Sequence, residues 1–161
     1  VKIDLKGFTE DYYRKLCKGR LAPVLKTIET VKASGVWLEL VHLCIPGAND
    51  SEPEIREMCR WVKGHLGVDV PMHFTRFYPQ YQMRNVPPTP FETLVRCREI
   101  GLAEGLHYVY TGNVPGLEGE NTECPRCHKT VVARRGFHVR AMNLKAGKCG
   151  FCGQAIAGVW S

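Results

Sequence analysis

The sequence predicts an α/β fold, a parallel sheet built from βα units and followed by a small cysteine-rich unit, and three observations carry that expectation. Four strand-like segments, 1–5, 36–44, 71–77 and 107–111, begin 35, 35 and 36 residues apart. Stretches of helical period lie between them, and strand, helix, strand at a constant period marks βαβ units joined by right-handed crossovers. After residue 118 the alternation stops and two CxxC pairs begin. With 161 residues, 44% of them hydrophobic, the chain can hold one domain with a core, or one domain plus an appendage. Its composition is not that of a disordered chain.

The first helix is expected from about Leu21 to Ser34, with Pro23 near its start, Leu25, Ile28 and Val31 on one face, and Gly35 placed to end it. Ser51-Glu52-Pro53-Glu54 reads as a capping box opening the second, in which Ile55, Met58, Cys59, Val62 and Leu66 follow at helical spacing. Thr89-Pro90-Phe91-Glu92 reads as the same device before Leu94, Val95, Ile100 and Leu102. Either a barrel or an open sheet satisfies this order. A complete eight-stranded barrel takes about 250 residues, so a barrel here would be represented only by its later strands. Gly112, Pro115, Gly116 and Gly119 read as a linker, dividing the chain into 1–118 and 119–161.

Charge divides at the same place. Residues 1–118 carry 15 Lys/Arg against 14 acids, whereas 119–161 carry seven against two, so that most of the formal +6 sits in the tail. Of eight cysteines, Cys17, Cys44, Cys59 and Cys97 are isolated and read as small apolar packing residues. Cys124, Cys127, Cys149 and Cys152 form two CxxC pairs 21 residues apart, with a hairpin expected around Arg134-Arg135-Gly136. Two such pairs on either side of a hairpin are the layout of a zinc ribbon, in which four thiolates complete a tetrahedron. An iron-sulfur cluster and a dithiol redox pair are the competing readings. His128 is expected to face solvent, and Ile156, Val159 and Trp160 to cover one side of the unit. No secretory or membrane-spanning apolar run is present, which makes a reducing, cytoplasmic setting the expectation. A start at Val1 without Met reads as a processed chain or a fragment.

In parallel α/β folds chemistry gathers at the carboxyl ends of strands. Here those ends hold Asp4 and Lys6, then the loop 45–50, then 75–81, then Tyr110 and Asn113. Asp4 and Lys6, two residues apart on a strand, point to one face and suit a zwitterionic ligand or each other. Several of these segments together resemble a known family: Asp4-Leu5-Lys6-Gly7-Phe8, Ile45-Pro46-Gly47-Ala48-Asn49-Asp50-Ser51, the run from His73 to Met83, Pro87-Pro88-Thr89-Pro90, Gly112-Asn113-Val114-Pro115-Gly116, and Glu120-Asn121-Thr122 with both CxxC pairs and Gly158-Val159-Trp160. They resemble the radical SAM enzyme of the AmmeMemoRadiSam system, a family similar to the activating enzymes of pyruvate formate-lyase.

The resemblance implies a partial (β/α) barrel of the radical SAM type, later strands only, followed by a zinc-ribbon-like unit. It implies a [4Fe-4S] cluster that cleaves S-adenosylmethionine (SAM) reductively to start radical chemistry on a protein or small-molecule substrate, with an electron donor for the cluster. It places Asp4 and Lys6 near the methionyl group of SAM, and His73 toward the SAM pocket or substrate; a buried His73 bonded to backbone is the other reading. Arg76 and Tyr81 are candidates to face substrate, and Tyr78 and Tyr81 equally for aromatic packing. The family's CxxxCxxC cluster motif is missing from this sequence. No catalytic residue is therefore expected in this segment, and alone it is expected to be inactive. The contrasting expectation is a zinc-ribbon module on a non-catalytic α/β scaffold, binding protein or, through its basic residues with Phe137 or Phe151, nucleic acid.

Overall fold

In a computed structural model, which describes residues 1–114, 116 and 119–160, the strands β1 (Lys2–Asp4), β2 (Glu39–Cys44), β3 (Met72–Arg76) and β4 (Val109–Gly112) form one parallel sheet in the order β1-β2-β3-β4. Each crossover advances one strand in the same direction, so crossovers of one hand bring the intervening helices to one face. These helices are α2 (Leu21–Ala33), α3 (Glu52–Leu66) and α4 (Phe91–Ala103). A short α1 (Glu10–Tyr12), running on into a π turn (Tyr13–Cys17), precedes them.

Alternation in the strands sorts the two faces. Leu40, Met72, Phe74 and Val109 are buried against Ile55, Met58, Val62 and Leu94 in one cluster. Burying each such side chain contributes about 1.5–3 kcal/mol. Cys44, Cys59 and Cys97 are buried in the same cluster, as expected of small apolar fillers, and Cys17 packs at its margin. The other face is less covered. The register Asp4↔Val41↔His73↔Tyr110 sets one row across it, with Lys2↔Glu39 in the row before.

Neither capping box forms. Ser51 is the N-cap of α3 but makes no side-chain cap bond. Glu54 instead accepts the backbone N–H of Phe8 at 2.7 Å, across 46 residues. That N–H sits in the partly buried β1–α1 turn, where a charge-assisted bond is worth more than one at a helix start open to water. The N-cap of α4 is Pro90, and Thr89 is fully buried. Its hydroxyl donates to the Cys44 carbonyl at 2.6 Å and accepts from Phe77 N–H at 2.8 Å, tying the loops after β2 and β3 together. The segment 10–17 carries too few residues for periodicity to announce it. Thr9 caps it by accepting the Tyr12 N–H, and Tyr12 and Tyr13 are buried beneath it.

In the tail, β5 (Thr122–Glu123), β6 (Thr130–Arg135) and β7 (His138–Met142) form an antiparallel sheet, and β8 (Leu144–Lys145) pairs with β9 (Lys148–Cys149). The β6–β7 loop is Gly136-Phe137, with Gly136 at φ +59°, a conformation that favours glycine at the first position of a two-residue hairpin. Tyr108, Cys124, Val131, Val132, Cys149 and Ile156 form a second buried cluster. Ile156 covers the unit as expected. Val159 stays exposed, and Trp160 turns back to donate from Nε1 to the Ile156 carbonyl at 2.8 Å. Pro115, in the expected linker, and Glu118, at the expected boundary, lie outside the described residues.

Candidate functional site

The two CxxC pairs fold into equivalent knuckles. In the first, His128 N–H donates to the Cys124 carbonyl at 2.9 Å and Cys124 N–H to Lys129. In the second, Gly153 N–H donates to the Cys149 carbonyl at 2.9 Å and Cys149 N–H to Gln154. The residue after each second cysteine is left-handed, His128 at φ +56° and Gly153 at φ +75°. His128 is exposed and takes this place as part of the turn. The four Sγ atoms lie within 4.8 Å of one another, with Cys124–Cys152 at 3.6 Å and Cys127–Cys149 at 3.7 Å. Four thiolates bound at about 2.3 Å around one tetrahedral ion stand about 3.8 Å apart, so the group can hold a single metal ion. Burial raises the Cys149 thiol, but the N–H groups of Phe151 and Cys152 outweigh it and leave the thiol at about 7. The Gln154 N–H lowers the Cys152 thiol, but burial and the bonds from Cys127, Cys124 and Cys149 outweigh it and raise that thiol instead, so the four sulfurs share protons, and metal binding requires that these leave as thiolates form.

A second constellation faces the less covered side of the sheet. The imidazole of His73, about a quarter exposed, stacks on Tyr110 with ring centroids 5.0 Å apart, and its Nε2 lies 3.0 Å from Glu39 Oε2. Its partner is thus a side chain, not backbone. Tyr110 Oη lies 2.9 Å from Thr122 Oγ1, to which Arg134 donates at 2.6 Å. Together with Phe137 and Trp160 these residues line a cleft of about 570 Å³ between the sheet and the tail. The bond from His73 holds the Glu39 carboxyl down at about 2 against its burial, with help from Trp37 and Lys2. A depressed carboxyl stabilises the fold above its ordinary pKa, and that contribution fades as pH falls through the window from about 4.5 to about 2. Glu39→Gln is expected to flatten the acid limb of a stability-against-pH curve in this window; an unchanged limb in urea titrations would refute the pairing.

Asp4 and Lys6 form an exposed ion pair at 3.0 Å at the end of β1. Asp4 shares the row and face of His73, two strands away, about 10 Å at ordinary strand spacing. The backbone beneath is held by a buried lock that residue patterns did not reveal. Asn49, 1% exposed, donates to the carbonyls of Lys6 (2.7 Å) and Leu43 (2.9 Å) and accepts from Ile45 N–H (2.7 Å). Fully buried His42 sets Nδ1 2.9 Å from the Leu5 carbonyl and Nε2 3.1 Å from that of Asn49. Burial pushes its imidazole below the usual range. Gly7 lies against the Tyr12 ring, where a Cβ would approach within 2.5 Å, so only glycine lets the chain turn there.

Arg76 is committed elsewhere. Its guanidinium lies over the rings of Phe91 (4.4 Å) and Tyr78 (5.0 Å) and donates from Nε to the Thr89 carbonyl. Tyr78 donates to the Asn113 carbonyl and its ring lies under the Arg76 guanidinium, and Tyr81, for which substrate contact and packing were both expected, is 82% exposed.

No family model matches the chain. It is 43% identical over 158 residues to an uncharacterized protein of Methanocaldococcus jannaschii, covering 97% of this chain and 47% of that protein. It is 26% identical over 132 residues to the benzylsuccinate synthase activating enzyme of Thauera aromatica, covering 74% of this chain and 40% of that enzyme. The chain thus spans less than half the length of these curated relatives. Among solved structures, a domain of a pyruvate-formate lyase-activating enzyme from Bacteroides vulgatus superposes with TM-score 0.59 at 19% identity, over 70% of this chain and 66% of that one. A radical SAM methyltransferase from Sphaerobacter thermophilus gives TM-score 0.50 at 19% identity, over 70% and 34%. Relatives and structural neighbours thus include radical SAM activating enzymes, and at this identity the structural likeness speaks for the fold. Among the described residues no helix is long and apolar enough to cross a membrane.

Proposed function

We propose that this chain is the carboxyl-terminal part of a radical SAM enzyme of the activating type, residues 1–118 contributing later strands of a partial (β/α) barrel and 119–161 a zinc ribbon. The observation that carries this reading is the sequence match to the benzylsuccinate synthase activating enzyme, which runs over three quarters of the chain. The one-directional strand order agrees with an arc of a barrel, in which the less covered face would be the interior.

The residues of this chain do not fit the SAM-cleaving cluster. Four of the eight cysteines form the tail group, Cys44, Cys59 and Cys97 are buried in the core, and Cys17 stands alone. The cluster's ligands then belong to a part of the parent outside this sequence. Asp4 and Lys6 do fit the methionyl end of SAM. A carboxylate and an ammonium side by side complement an α-ammonium and an α-carboxylate, and a bound zwitterion exchanges their one exposed ion pair for two. His73, oriented by Glu39 and flanked by Tyr110, faces the same side and would contact cofactor or substrate there. SAM held by Asp4 and Lys6 would supply radical chemistry on a protein or small-molecule substrate, given in the parent a [4Fe-4S] cluster and an electron donor for it. For the tail, the Sγ spacing favours one ion over a cluster, whose several atoms would spread the thiolates apart, and four thiolates with no open position suit structural zinc.

The full-length parent, reconstituted with iron and sulfide and given a reductant, is expected to convert SAM to 5'-deoxyadenosine, and the 161-residue chain alone to produce none. No product from the parent would refute the enzyme, and turnover by the chain alone would refute the placement of the cluster.

A further inference from the structure

We propose that the outer edge of β7 is a docking strand for an extended acidic segment of a partner protein. All five residues of β7, His138–Met142, are exposed, and among the described residues the strand pairs only with β6. Among the described residues no backbone group pairs with its far side. A strand edge in that state offers a row of backbone donors and acceptors to another chain.

The side chains along this edge select the partner's chemistry. Phe137 is wholly exposed at one end, and Val139 and Met142 are more than half exposed. A bulge opposite Ala133 and Arg134 leaves Arg140 without a cross-strand partner. Neither Arg135 nor Arg140 has an ion pair among the described residues. The tail's two acids do not answer this charge. Glu120 accepts the N–H groups of Gly116 and Gly136, and Glu123 lies 3.7 Å from Arg98. Residues 119–161 carry +5, and a four-thiolate divalent site would leave them at +3. Backbone pairing with apolar and anionic side chains uses the far-side backbone row on either side of the bulge together with Val139, Met142 and the two arginines. Stacking of nucleic-acid bases would use Phe137 and the arginines but leave the backbone row unused. Phe137 also lines the cleft, so a segment laid on β7 ends at the cleft mouth.

The test uses the metal-loaded chain and an end-blocked octapeptide alternating glutamate and isoleucine. Expected are saturable binding by fluorescence anisotropy and slowed amide exchange over 138–142. Methylating alternate backbone nitrogens of the peptide, or introducing Arg140→Glu with metal content unchanged, is expected to weaken binding about tenfold or more, the scale of one lost charge-assisted contact. The proposal is overturned if no binding occurs, if the methylated peptide binds equally well, if a single-stranded oligonucleotide of matched charge binds more tightly, or if the edge proves to join two copies of the chain.

Discussion

Cys149→Ser is expected to release the metal from the tail and to unfold residues 119–160 while the parallel sheet persists. The buried cluster of the tail has six residues, two of them cysteines of the metal group, and one, Tyr108, from the chain before β4. So small a core does not hold a segment of this length, and metal binding at such a site supplies on the order of 10 kcal/mol of folding free energy. Loss of one of four thiolates removes most of that. The damage should reach the sheet at defined places. Tyr108 Oη accepts the N–H of Ala157, and Tyr110 Oη meets Thr122, so both rings lose partners when the tail opens. Metal analysis, near-UV circular dichroism and amide exchange read the three consequences separately. A C149S chain that keeps one equivalent of metal and a protected β6 would refute the account.

Asn49→Leu is expected to cost about 3–5 kcal/mol in urea denaturation, as large as a big cavity in the core. The substitution leaves the Ile45 N–H and the Lys6 and Leu43 carbonyls, all bonded by one side chain, without partners in a buried loop. Each unsatisfied buried group costs about 1–3 kcal/mol. Ser51→Ala, two residues away, provides the contrast. An N-cap serine ordinarily contributes about 1 kcal/mol, but Ser51 makes no cap bond, so its removal is expected to cost under about 0.5 kcal/mol. Equal losses for the two variants would show that the lock is not what holds this loop. A further consequence touches the proposed cofactor residues. Asn49 fixes the carbonyl of Lys6, so the Asp4–Lys6 pair loses its support when the lock is removed.

What was legible in the residues was whatever repeats or is local. Three strands fell inside the segments marked by period, β4 overran its segment by one residue to Gly112, and α2 to α4 lay within a few residues of their apolar stripes, because one buried face repeats with the geometry of the element. The metal group was legible because a CxxC turn is complete within four residues. The helix starts were not. Ser51-x-x-Glu54 and Thr89-x-x-Glu92 satisfy a local rule, yet Glu54 and Thr89 are drawn to partners 46 and 45 residues away. A buried backbone group that lacks a partner outbids a cap that water can replace, and no local pattern records where such groups will be.

The sequence alone therefore determined the parallel α/β order, the division of charge at residue 118 and the four thiolates, since each follows from spacing along the chain. It took tertiary contacts to settle that Asn49 and His42 lock the loop beneath Lys6, that Glu39, His73, Tyr110 and Arg134 share one cleft, and that among the described residues nothing pairs with the far side of β7. Those features join residues tens of positions apart, and they exist because folding must find partners for buried polar groups wherever in the chain those partners lie.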